Sequence, residues 1–183
     1  MNYNDALELM HHHTKSEALR KHMYSVEAAM RAYAQKFGED EEKWAIVGLL
    51  HDFDYEMYPD APDHPMKGSE ILKEKGYSDE IRRAILGHAT YSGIPRDTKM
   101  AQALFACDEL CGFITACAVI RPNKISDLEV SSVKKKLKDK GWARNVSRED
   151  IALGVQELNI PFEDHIQFVI NAMRNSAERL GLK

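Results

Sequence analysis

Residues 45–68 read AIVGLLHDFDYEMYPDAPDHPMKG, an apolar segment that ends abruptly in His51 and Asp52. Both side chains are costly to bury unless something compensates for their lost hydration. Two other positions raise the same problem. His22 shares a helical face with Leu19, Val26 and Met30, so it is predicted to look inward. Asp108 has Leu104, Phe105, Cys111 and Gly112 one turn away, which turns its carboxylate toward an apolar stripe. A buried carboxylate needs a cationic partner. A divalent cation would supply one, replacing water around His51 and Asp52 by direct coordination. Imidazole and carboxylate together suit manganese, iron, cobalt, nickel or zinc, with positions left open for water and substrate. A lone inward histidine is more often an ordinary core residue than a ligand, so the argument rests on the four residues together.

At these residues the chain resembles the HD superfamily of metal-dependent phosphohydrolases, whose pattern is a histidine, a later His-Asp pair and a final aspartate, all on helices. The matching residues are His22 in RKHMYSVEAA, His51 and Asp52 in GLLHDFD, and Asp108 in LFACDELCGF. The resemblance covers residues 15 to about 120 and implies an all-α helical bundle. It also implies that His64, in DHPMKGSEIL, and His88, in AILGHAT, hold a second ion, with Asp52 bridging both. The other reading of His64 and His88 is contact with substrate or solvent. The tail VKKKLKDKGWARNVSREDIALG looks like that of a small bacterial subgroup of predicted HD hydrolases.

The activity implied is cleavage of a phosphoester in a nucleotide or another small phosphorylated metabolite, with water as nucleophile. One ion would activate the water; a second, about 3.5 to 4 Å away, would clamp the substrate. Two alternatives carry the same ligands: a diiron oxygenase, and a binding module that holds a ligand without turnover.

Asp54, two residues beyond Asp52, is the candidate base or the group that orients a ligand histidine or the attacking water. Glu56 is a weaker candidate for the same work. Lys67, Arg96, Lys138 and Arg144 are candidate phosphate-binding cations, the last two from a stretch of seven basic residues between 134 and 148. A solvated helix face is the simpler reading of that stretch.

These residues must be positioned by helices, because apolar spacing near 3.6 runs through almost the whole chain. Thr14 with Glu17 reads as a capping box opening a helix over about 15–37, stopped by Gly38. Helices over about 40–52 and 65–75 follow, then one capped by Ser78 that reaches about 88. Residues 90–98 read as a loop and 99–120 as a long apolar helix broken by Pro122. Ser126 with Glu129, Ser147 with Asp150, and Pro161 mark three further starts, the last helix ending near Gly181. The total is about eight helices in one domain over residues 1–183: a metal-binding core over about 15–120 and a helical extension over about 121–183.

The balance of 25 basic and 29 acidic residues, net charge −4, gives no overall attraction to nucleic acid phosphates. No apolar run approaches the roughly 18 residues of a membrane span, and the N-terminus lacks the apolar centre of a signal peptide. A cytoplasmic protein is expected, with oligomeric state open. Cys107, Cys111 and Cys117 lack C-x-x-C spacing and are expected as reduced core thiols. The triplet His11 to His13 is either a tag remnant or, given its helical context, a native exposed patch without a catalytic role.

Overall fold

Good helix formers, side-chain caps and the near absence of β-branched runs leave the chain no competing structure. In a computed structural model describing residues 1–183, it forms ten α-helices and no strand. They are α1 Tyr3–His13, α2 Glu17–Phe37, α3 Glu41–Leu50, α4 Asp63–Glu74, α5 Asp79–His88, α6 Lys99–Val119, α7 Val130–Leu137, α8 Arg148–Leu158, α9 Phe162–Asn175 and α10 Ala177–Leu180. Residues Thr90–Ser92 add one 3-10 turn.

Ser78 and Ser147 cap α5 and α8 as expected. Other boundaries differ. Ser16, not Thr14, caps α2 by accepting the Leu19 N–H, whereas Thr14 is buried and donates its hydroxyl to the Phe53 carbonyl. A separate helix, α1, precedes it. Ser126 lies in a turn, donating to the Asn123 carbonyl, and α7 begins only after Glu129 without a side-chain cap. The final helix breaks at Ser176, so α10 is a separate short turn.

The core is one apolar cluster of 43 residues reaching from Ala6 to Leu182. Helices α2, α3 and α6 form its centre, flanked by α5, α8 and α9. Each fully buried Leu, Phe or Met contributes roughly 1.5–3 kcal/mol. Gly48 allows α3 to press against α2, since a Cβ there would stand 2.8 Å from the Glu27 Cα. That contact fixes the distance between the helices carrying His22 and His51.

By length and composition α6 could span a membrane, with a mean hydropathy of 1.4, which corrects the expectation that no segment approaches that size. It is the central core helix, and 61% of its most apolar window is buried. Cys107, Cys111 and Cys117 are free thiols on it, all buried.

Candidate metal centre

Five helices and the turn after α3 aim polar side chains at one point. His22 comes from the second turn of α2 and Asp108 from the middle of α6, while His51 caps the C-terminus of α3. Asp52 follows in the turn. His88 closes α5, and His64 stands at the start of α4 in an extended conformation (ψ 135°), as the residue before Pro65 should.

The six side chains form two trios. In the first, His22 Nε2 lies 3.2 Å from His51 Nε2 and 2.9 Å from Asp108 Oδ1, with His51 Nε2 3.4 Å from the same oxygen. In the second, His64 Nε2 and His88 Nε2 are 3.2 Å apart, and Asp52 Oδ1 is 3.3 and 3.4 Å from them. The other oxygen of Asp52, Oδ2, faces the first trio at 3.5 Å from His51 and 3.7 Å from His22. One carboxylate therefore spans both.

The donor chemistry fits a cation in each trio. His51 Nδ1–H donates to the Gly48 carbonyl at 2.8 Å and His88 Nδ1–H to the Ile85 carbonyl at 2.5 Å. A carbonyl only accepts, so in these two rings Nδ1 carries the proton and Nε2 offers a lone pair. His64 Nδ1–H likewise donates to Asp54 Oδ1 at 2.9 Å. Lone pairs then face each other across 3.2 Å between His64 and His88. Donors about 2.1 Å from a shared ion stand about 3.0 to 3.4 Å apart, matching these separations.

Without an ion, protons take over that role. Burial opposes protonation of His51, but Asp52 and Asp108 outweigh it and hold its pKa well above the usual value. Burial likewise opposes protonation of His64, yet Asp52 and Asp54 push its pKa up to about 9. Burial would raise both carboxylates; the surrounding imidazoles instead hold Asp52 and Asp108 well below the usual carboxylate range.

Asp54 is buried and turned away from the open cleft. Its two oxygens accept the His64 Nδ1–H and, at 2.9 Å, the Gly68 N–H. Both contacts lie within the protein, a geometry that suits the orienting role better than that of a base. Gly68 is required there: a Cβ would fall 2.5 Å from the Asp54 Cγ. Glu56 accepts the Lys15 and Ser16 N–H groups at the start of α2.

The trios open into a cleft of about 420 Å³ rimmed by Tyr55, Tyr91, Glu109, Val146 and Asp150. None of Lys67, Arg96, Lys138 and Arg144 lines it. Lys67 is exposed and pairs with Asp63. Arg96 forms a two-point ion pair with Glu157 at 2.5 and 2.7 Å, with its guanidinium over Phe105. Lys138 and Arg144 are exposed. The basic stretch reaches the cleft through Val146 instead, and Arg148 fastens it by donating to the carbonyls of Asp139, Trp142, Ala143 and Val146. Of the histidine triplet only His12 is exposed; none of the three lines the cleft.

Glu109 is a site residue that sequence reasoning missed. Its carboxylate accepts the Ser147 N–H at 3.0 Å, and burial, reinforced by Asp108, pushes its pKa up to about 7. Its position next to Asp108 was the only signal available.

No curated protein and no solved structure matches the chain. The model of the HD domain family matches residues 19–112, a stretch holding all six of these side chains and half of the sequence. The chain belongs to the HD domain family.

Proposed function

We propose that this protein is a metal-dependent phosphohydrolase with two divalent ions, acting on a nucleotide or another small phosphorylated metabolite. The observation that carries the reading is Asp52, whose Oδ2 faces His22 and His51 while its Oδ1 faces His64 and His88. His22, His51 and Asp108 would hold one ion and His64 and His88 the other, with Asp52 shared.

Divalent ions at such a centre supply Lewis acidity, which lowers the pKa of water toward neutrality and offsets charge on phosphoryl oxygens. The protein's own contribution is placement. Carbonyls and Asp54 lock three of the imidazoles in orientation, so the donors need no reorganisation when substrate arrives. The rings of Tyr55 and Tyr91 wall the cleft, and the Tyr91 hydroxyl is anchored on the His64 carbonyl at 2.7 Å. In the overall reaction a water oxygen bonds to phosphorus, the bond from phosphorus to the leaving oxygen breaks, and that oxygen takes up a proton.

The test is phosphate release from a panel of phosphoesters by manganese-loaded protein without oxygen. Turnover under these conditions supports the reading. Turnover that depends strictly on iron and oxygen, with no esterase activity under any metal, assigns the centre to oxygen chemistry instead.

A further inference from the structure

Three of the four histidines in the centre have a protein acceptor for the outer ring nitrogen; His22 does not. Its Nε2 faces His51 and Asp108, which places the proton of a ligating ring on Nδ1, and Nδ1 has no hydrogen-bond partner in the chain. It points toward Gly112, where an added Cβ would still clear it by 4.0 Å.

His22 and Gly112 line two cavities at once. One is the metal cleft; the other is a groove of about 510 Å³ between α2, α6 and the C-terminal residues Leu180 to Leu182. The two cavities meet at these residues. Groove and cleft differ in charge. The cleft has no lysine or arginine, whereas the groove contains Lys21, the only such residue lining either cavity. Lys21 is half-buried, and its ammonium, lying beside Gly181, makes no hydrogen bond or ion pair; Glu17, one turn earlier and exposed, is not within pairing distance. Ala18, Val119 and Leu182 give the groove an apolar wall.

We propose that this groove holds the leaving group of the substrate, with Lys21 binding an anionic group carried on it and His22 Nδ1–H donating to the leaving group at the junction. The proposal deepens the phosphohydrolase reading and rests on it for the orientation of substrate. It defines the substrate class as a phosphoester whose leaving group is extended, partly apolar, and anionic at its far end. An unpaired, half-buried ammonium is costly to keep unless something of opposite charge meets it. The absence of cations in the cleft fits the same division: the ions meet the scissile phosphoryl group, and Lys21 meets the distal charge.

Binding of non-hydrolysable phosphonates separates this proposal from the reaction itself. Calorimetry on manganese-loaded protein would compare n-alkyl phosphonates with ω-carboxyalkyl phosphonates and α,ω-bisphosphonates of equal length, over two to eight carbons. The expected result is a gain of about tenfold in affinity from the distal anion at one optimal length. Lys21→Ala should bring the ratio of charged to uncharged affinities close to one, and Lys21→Arg should restore it. Gly112→Leu, which fills the junction, should abolish the length dependence. A larger gain from phosphonate identifies a bisphosphorylated substrate and a larger gain from carboxylate a phosphorylated acid; both support the proposal. It is overturned if no distal anion improves binding at any length, if the preference survives Lys21→Ala, or if no phosphonate binds. Preference for the distal anion without hydrolysis of the matching phosphates would leave the groove assignment standing and remove the phosphohydrolase reading.

Discussion

Asp54 Oδ1 accepts the Nδ1–H of His64 at 2.9 Å, while its other oxygen takes the Gly68 N–H at the same distance. This buried carboxylate fixes the ring whose Nε2 faces His88 and Asp52. Asp54→Ala should therefore weaken metal binding at the His64 and His88 pair by about 10- to 100-fold and spare the trio around His22. Gly68→Ala should have the same effect by displacing Asp54. Calorimetric titration with manganese would check both; an unchanged second binding step in either variant would count against this role.

Removing His64 and His88 together takes two of three donors from one trio and none from the other. The double variant His64→Ala, His88→Ala should retain about one ion per chain by elemental analysis and lose the second. Loss of all metal would mean that the trios do not bind independently.

The pH dependence follows from the raised pKa values of His51 and His64. In metal-free protein, groups with raised values stabilise fully below the unfolded imidazole pKa of about 6.5. That contribution is lost as pH rises, for His64 through about 9. Asp52 and Asp108, with lowered values, stabilise above the unfolded pKa of about 3.9 and lose that contribution as pH falls below it. Metal-free protein should thus melt highest between about pH 4 and 6.5. Metal must displace the imidazole protons, so the rise in Tm on adding manganese should be larger at pH 8.5 than at pH 6. Thermal melts at both pH values, with and without manganese, would check this. An equal or larger rise at pH 6 would contradict histidine-rich coordination.

Arg96 separates structure from function. Its guanidinium is engaged by Glu157 and the Gly87 carbonyl, so Arg96→Ala should cost about 1–3 kcal/mol of stability. Its KM for a phosphoester, measured well below its Tm, should stay within about twofold of wild type. Lys138→Ala and Arg144→Ala, at exposed positions, should change stability by less than about 0.5 kcal/mol. A large rise in KM in any of the three would restore it as a substrate contact.

The helices were largely legible because their signals are local: apolar spacing, Ser78 and Ser147 at starts, Gly38 at a stop. Thr14 misled because both it and Ser16 suit a helix start; only packing against Phe53 decides that Thr14 turns inward. His22, His51, Asp52 and Asp108 were legible as polar residues on apolar faces, whereas His64 and His88 came from family resemblance alone. The cations were not legible. Arg96 finds Glu157 61 residues later, and Lys21 stands out only because no carboxylate reaches it in three dimensions. Pairing of that kind is tertiary and leaves no mark on local spacing.

The central claim is that Asp52 is shared between two ions, and the most direct measurement is manganese titration of metal-free wild type and Asp52→Ala by calorimetry. Wild type should bind about two ions per chain. In Asp52→Ala both steps should weaken: the His64 and His88 step by more than about 100-fold, because two donors remain, and the His22, His51 and Asp108 step by about tenfold. A wild type that takes up only one ion with metal in excess, or an Asp52→Ala variant that binds two with unchanged affinity, would contradict the account.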